Sequence, residues 1–328
     1  MFMNNKKEKV LLLLFSFFLS FLILELYARV SVKAPPYLWQ MDMKLGYKPA
    51  SNVAGKYYGF QVKTNSKGLR DYEYSYLKKD GIFRVVVLGD SFTYGLGIKN
   101  LDDIYAKISE RELKKRSYNV EIINMGVGGF NTHQEVEWFK MEGAKYNPEL
   151  VILGFTANDN EPVLVDINTS IWLKERGLLG FKELLRRHIY LSTYFIESFR
   201  KLKAAYNFTG RNNKLSNPRD YDVCIEKIKE FDLYLKSCNI KLIVFLLPKL
   251  DDFKDHKYIE IYNYVQTRLK MNDVACCDLF PYLKDYKEKE LWVTPKDYHP
   301  NELCNRIFAN VLTAKLAEHI DKGKNKLF

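Results

Sequence analysis

The stretch from Phe83 to Gly97, FRVVVLGDSFTYGLG, constrains the fold more than any other part of the 328-residue chain. Its apolar run, Val85, Val86, Val87 and Leu88 after Phe83, reads as a buried strand that stops at Gly89. Asp90 and Ser91 follow at once, before a glycine-punctuated entry into a helix. A serine in that place has its hydroxyl at the C-terminal edge of a buried strand, with backbone N–H groups aimed at the same spot. That edge is where α/β sheets hold their ligands, so Ser91 is placed as a nucleophile would be.

From Ile82 onward strand and helix patterns alternate. Strands are expected over 84–88, 120–124 and 150–155, with amphipathic helices over 103–115 and 132–142 between them. Residues 160–217 break the rhythm and read as an inserted helical segment, either a cap over the site or a peripheral decoration. Regular order resumes with a helix over 221–236, a strand over 241–247 stopped by Pro248, a helix over 258–270 and a strand over 274–279. A last helix opens at His299-Pro300-Asn301 and runs to about His319. This alternation predicts right-handed crossovers and a parallel sheet. The expected class is α/β, a three-layer sandwich around a mainly parallel sheet of about five strands.

The amino terminus is a separate problem. Residues 1–9 are short and basic, and 10–24 are apolar apart from Ser16 and Ser20, with an extension past Glu25 to Ala28. A bilayer core of ~30 Å needs ~20 such residues, and with its flank the run reaches that length. A cleaved signal peptide is the alternative, but Ala28-Arg29-Val30 lacks the second small residue of a cleavage site, which favours an uncleaved anchor over 10–28. Lys6, Lys7 and Lys9 before the run nearly balance Arg29, Lys33 and Lys44 after it. The basic head ahead of a first hydrophobic segment places residues 1–9 in the cytoplasm. Ala34-Pro35-Pro36 ends the helix and begins a stalk and flanking segment over 29–67. Its Trp39, Tyr47, Tyr57 and Tyr58 either pack on the flank of the domain or sit at headgroup level.

The chain is 47% hydrophobic, enough for a sizeable core, and carries a formal charge of +11. An acidic glycan or phospholipid surface would suit that charge. Its lysines are nevertheless interspersed with Glu and Asp, as on a solvated face, and no nucleic-acid-binding motif accompanies them, which argues against a nucleic-acid partner. The five cysteines have no metal-ligand spacing. Cys224 and Cys238 are candidates for a bridge in an oxidising compartment.

A serine hydroxyl needs a positioned base and donors for the carbonyl charge. His299 is the candidate base. Asp297, two residues earlier in an extended loop, puts its carboxylate on the same side as the ring, with Asp278 or Asp285 as substitutes and His133 as the rival base. Asn158 directly follows a buried strand, so its amide belongs at the sheet edge that carries Ser91. Each residue alone has a plainer reading: Ser91 as a helix cap, Gly126, Gly128 and Gly129 as turn glycines, Asn158-Asp159 as a turn pair, His299 as part of the last helix's cap. Independent caps have no cause to fall in this order at successive strand ends.

Gly89-Asp90-Ser91-Phe92 resembles the first block of the SGNH (GDSL-type) hydrolases. Asn124-Met125-Gly126-Val127-Gly128-Gly129 resembles their glycine block, Asn158-Asp159 their asparagine block, and Asp297-Tyr298-His299-Pro300-Asn301 their terminal block. The resemblance spans 68–317. It implies a nucleophile Ser91, a base His299 with Asp297, and an oxyanion hole of the Ser91 and Gly129 amides and the Asn158 side chain. Gly89, Asp90, Asn124, Gly128 and Asp159 would support them. The family spaces its Asp and His by two residues; here only Tyr298 intervenes and Lys296 holds the other position. Asn65 to Asp71 resembles a segment found before the serine block in anchored members, with Arg70 as a substrate-facing cation or an ion-pair former.

The implied protein is a membrane-anchored serine esterase that cleaves or transfers an acyl ester, such as O-acetyl, on envelope carbohydrate or lipid, with its catalytic domain over 68–320 outside the cytoplasm and a basic tail over 321–328. It needs no metal or organic cofactor. The alternatives are a weakly active binding component of an envelope polysaccharide assembly system, and a phospholipase or thioesterase.

Overall fold

The computed structural model describes residues 6–31, 38–42, 44–57, 60–160, 217–251, 253 and 258–324. The expected insert over 160–217 falls, apart from its two end residues, outside the described residues. Helix α1 (Lys6–Ser31) belongs to one of two compact units, and its segment Lys7–Ala28 is long and apolar enough to cross a membrane. The second unit carries every other described element.

That unit opens with two antiparallel hairpins, β1 (Trp39–Asp42) with β2 (Gly46–Pro49), and β3 (Ala54–Tyr57) with β4 (Phe60–Lys63). They occupy the region read from sequence as stalk and flank, and Leu38, Leu45 and Val62 are buried there. The chain then enters the sheet through β5 (Phe83–Gly89), helices α2 (Ser91–Tyr94) and α3 (Tyr105–Lys115), β6 (Val120–Asn124), α4 (Thr132–Met141) and β7 (Leu150–Phe155). Beyond the insert come α5 (Asp222–Ser237), β8 (Lys241–Leu246), α6 (Ile259–Met271), β9 (Cys276–Asp278), the hairpin β10 (Trp292–Thr294) with β11 (Asp297–Pro300), and α7 (Glu302–Lys324).

Strands β5 to β9 form one parallel sheet in the order β6-β5-β7-β8-β9, as the expected fold class requires. Side chains alternate across it. Val86, Leu88, Ile123, Leu153 and Val244 meet Phe139 of α4, Phe231 of α5 and Val265 of α6 on one face. Val85, Val87, Ile122, Ile152 and Phe245 meet Ile108 of α3 and Phe308 and Leu312 of α7 on the other. Both faces are covered, which is why these strands read as continuous apolar runs rather than alternating ones.

The order reverses at β5: the next strand in sequence lies on one side of it and the third on the other. The C-terminal ends of β5 and β7 therefore border the crevice at the topological switch point. The register pairs Gly89 with Gly154 at those ends, and the buried Thr93 side chain of α2 occupies the space their missing side chains leave. A Cβ on Gly89 would lie 2.0 Å from the Thr93 hydroxyl, and one on Gly154 would lie 2.8 Å from it. The two glycines let a helix start directly on top of the sheet.

Cys224 and Cys238 are both free thiols. They stand at opposite ends of α5, so with ~1.5 Å of rise per residue they are ~21 Å apart, far beyond disulfide reach.

Arg70 is buried, and its guanidinium donates to the carbonyls of Tyr94 (3.2 Å), Gly95 (2.5 Å) and Ile98. Of the two roles open in the sequence, substrate-facing cation or ion-pair former, neither describes this: it braces the loop that follows α2. Arg70→Met leaves those carbonyls without their donor and should lower the stability of the folded state by about 3 kcal/mol. Chemical denaturation of the two proteins measures this, and coincident midpoints would deny the guanidinium its bracing role.

Candidate active site

Ser91 is the first residue of α2, and Asp90 is its N-cap: the buried Asp90 carboxylate accepts the Phe92 N–H through Oδ1 at 2.8 Å. Its other oxygen faces the neighbouring strand end, where it accepts from Asn158 Nδ2 at 3.0 Å and lies 3.1 Å from the Thr156 hydroxyl. Burial pushes the Asp90 carboxyl up from its ordinary range. The Phe92 and Asn158 donors, the nearby His299 and the Thr156 hydroxyl act in the opposite direction.

His299 Nε2 lies 3.0 Å from Ser91 Oγ, and His299 Nδ1 lies 2.5 Å from Asp297 Oδ1. The pair comes from strand β11 rather than from a loop opening the last helix. Positions two apart on a strand share a face, so Asp297 reaches the ring with one intervening residue where the resembled family has two. The His299 backbone N–H also donates to Asp297 Oδ1 at 3.2 Å, and Phe92 meets the imidazole edge-on with ring centroids 5.8 Å apart. Burial alone would raise the Asp297 carboxyl, but the hydrogen bond and charge of His299 hold it below its ordinary value.

Across the crevice the Asn158 amide is fixed at both ends, donating to Asp90 and accepting from the Thr156 hydroxyl at 2.5 Å. Among the described residues nothing takes the other Nδ2 hydrogen, which is left for a ligand. The preceding peptide is clamped as well: the Tyr262 hydroxyl accepts the Ala157 N–H at 3.2 Å, and the Tyr221 hydroxyl donates to the Ala157 carbonyl at 2.5 Å. The glycine block runs on from β6 alongside β5, through Met125 N–H to Val87 O and Val127 N–H to Gly89 O. Asn124 braces it, its side chain donating to Thr93 O at 2.9 Å and accepting the Gly126 N–H at 3.0 Å. Gly126 passes so close to α2 that a Cβ would sit 2.3 Å from the Tyr94 nitrogen. Gly128 and Gly129 form the turn that follows.

The structure thus brings Ser91, His299, Asp297, Asp90 and Asn158 together. The other candidate bases and acids stand apart. His133 is exposed on α4, Asp285 is exposed, and Asp278 Oδ1 accepts the Phe280 N–H. Thr156 and Asp71 escaped the sequence reading. The signal for Thr156 was its place two residues before Asn158 at a strand end. Asp71 accepts the Asn124 N–H at 2.6 Å and pairs with the buried Lys107 at 2.9 Å, and only the turn-rich segment around it hinted at a role.

A Ser–His–Asp row on a flavodoxin-like sheet is the arrangement of a serine hydrolase. More particularly, the profile of the GDSL-like lipase/acylhydrolase family matches residues 87–307, and the chain belongs to that family of ester-bond hydrolases. Among solved structures it is similar to TesA, with 12% identity over 69% of this chain and 94% of that one and a TM-score of 0.45. It is also similar to the psychrotrophic esterase EstA from Pseudoalteromonas sp., with 9% identity over 73% and 98% and a TM-score of 0.46. A third is the acetyl xylan esterase AlAXEase, with 18% identity over 71% and 99% and a TM-score of 0.45. No curated protein matches the chain.

Behind Asp90 lie two more buried carboxyls. Asp159 accepts from the Thr132 hydroxyl at 2.9 Å, while neither oxygen of Glu135 has a hydrogen-bond partner. Burial, reinforced by the charges of the other acids, pushes both well above the ordinary carboxylate range. The folded protein therefore keeps a proton on Glu135 at pH values where the unfolded chain, with a glutamate pKa of ~4.3, has released it. Folding stability then falls as pH rises above that value. Glu135→Met fills the same space without the unpaired oxygens. It should raise the unfolding temperature, by more at pH 8 than at pH 5; a gain that is absent, or equal at both, would contradict the assignment.

Proposed function

We propose that the protein is a membrane-anchored serine esterase that removes or transfers an acyl group, such as O-acetyl, carried by envelope carbohydrate or lipid. The observation that carries the chemistry is the continuous row from Ser91 Oγ through His299 to Asp297, with contacts of 3.0 and 2.5 Å. The apolar segment Lys7–Ala28 supports the anchor, with the catalytic unit outside the cytoplasm. The formal charge of +11 is compatible with an acidic glycan or lipid surface as the setting, although its lysines are interspersed with acids as on a solvated face.

Ser91 Oγ attacks the ester carbonyl as His299 Nε2 takes its proton, and Asp297 holds the ring in the right tautomer and stabilises the imidazolium. The carbonyl oxygen, now an anion, rests on the Ser91 and Gly129 amides and on the remaining Asn158 Nδ2 hydrogen. The tetrahedral intermediate collapses, the ester C–O bond breaks, and His299 hands its proton to the departing alcohol. Water, or a sugar hydroxyl in the transfer reaction, then attacks the acyl-serine with His299 again as base and releases the acyl product.

Ser91→Ala and His299→Ala should each abolish hydrolysis of a short acetyl ester, and Ser91→Ala should also end labelling by a fluorophosphonate probe. Retained turnover in either variant would sink the mechanism. Asp297→Asn should lower kcat by about 10²- to 10⁴-fold. Asn158→Ala should lower it by about 10²- to 10³-fold with KM little changed. A panel of acetylated sugars and acyl lipids, assayed with the same protein, assigns the acceptor.

A further inference from the structure

The turn that carries Gly129 has two possible orientations. It runs from Val127 to Phe130, closed by the Phe130 N–H on Val127 O at 3.1 Å, with Gly129 at a φ of +80° and Gly128 outside the positive-φ region. That is the geometry of a type II turn, which differs from type I by rotation of its central peptide, here the one joining Gly128 to Gly129. Neither residue has a Cβ to resist the rotation. In a trans peptide the C=O and N–H point in opposite directions. A flip therefore replaces an amide donor by a carbonyl oxygen at any position that the Gly129 N–H serves.

One side chain holds that peptide from the carbonyl side. The Tyr47 hydroxyl, on β2, donates to Gly128 O at 2.9 Å. Its ring is set against Phe130 and Trp39, with centroids 5.2 and 5.6 Å away. The β1–β2 turn is tied to the start of α4, where Gln134 Nε2 donates to Leu45 O at 2.7 Å. The donor thus stands on a braced hairpin and not on a free side chain.

We propose that Tyr47 is a positioning residue for the oxyanion hole: its hydroxyl latches the diglycine peptide in the type II orientation and so keeps the Gly129 N–H available to the tetrahedral oxygen. The inference rests on the reading of Gly129 as an oxyanion donor. It makes the amino-terminal hairpin a working part of the site. In the flipped turn Tyr47 loses its carbonyl acceptor and meets the N–H only with its weakly basic phenol oxygen, and the difference between the two hydrogen bonds biases such a two-state element by about threefold to tenfold.

The test compares Tyr47→Phe, Gly129→Ala and the double variant in the full chain. Alanine disfavours positive φ and so drives the peptide to the flipped state whatever Tyr47 does. Tyr47→Phe, by leaving the two orientations comparably populated, should lower kcat for an acetyl ester about twofold to threefold with KM within about twofold. Gly129→Ala should lower it about a hundredfold. The double variant should be no worse than Gly129→Ala, because both changes act on one peptide. In glycine-labelled protein the Gly129 ¹⁵N amide resonance, single in the parent, should broaden or split in Tyr47→Phe. An unchanged kcat in Tyr47→Phe, losses that multiply in the double variant, or a Gly129 resonance that stays single would each overturn the latch. If the parent chain hydrolyses no ester, the proposed function fails on its own account, and the resonance alone decides whether Tyr47 holds the turn.

Discussion

A single buried carboxylate ties the two halves of the site together. One oxygen of Asp90 caps the helix that presents Ser91; the other takes the Asn158 amide and faces the Thr156 hydroxyl on the adjacent strand end. Removing a carboxylate from water is costly unless it is hydrogen-bonded, and here the Phe92 N–H and the Asn158 carboxamide donate to it, one on each oxygen. The arrangement works only because β5 and β7 are in register. That register sets Gly89 beside Gly154 and leaves room for Thr93 beneath the first turn of α2. The sheet therefore fixes the distance between the proposed nucleophile and the proposed oxyanion donor before any loop is considered.

The acids behind Asp90 impose a second condition. The proposed oxyanion hole is backed by Asp159 and Glu135, with no cation paired to either among the described residues. In a medium of low dielectric, ionised carboxyls there would work against an oxyanion almost unscreened. Burial eases the conflict by pushing both carboxyls well above the ordinary carboxylate range, toward their uncharged forms. The same burial that makes stability fall as pH rises thus favours uncharged acids behind the site.

Much of this was legible in the chain because parallel strands covered on both faces leave continuous apolar runs. Val85 to Leu88, Ile122 with Ile123, and Leu150 to Phe155 all announce themselves in that way. The hairpins β1 to β4 and β10–β11 did not, since strands of three or four residues contain too few alternations to register as a period. Strand β9, expected over 274–279, is only Cys276–Asp278, because its ladder with β8 covers those three residues alone. His299 read as the opening of a helix because Pro300 and Asn301 are ordinary helix-start residues; its strand exists only through pairing with β10. Glu135 was invisible for another reason. A glutamate in the first turn of a helix normally marks a solvated residue opposite the dipole, and nothing local records that this one points inward.

The proton-handling half of the row comes from alternate positions of one short strand. Where an imidazole and its carboxylate sit on separate loops, either can drift while the other stays. In this chain Asp297 and His299 share one strand of the hairpin β10–β11 and travel together. Displacement of that hairpin would remove the proposed base and its carboxylate together, and leave no half-competent imidazole beside an idle serine. By the same token, the segment is a portable cassette: grafted at the right height over another strand-to-helix turn, it brings a base already furnished with its own counter-charge.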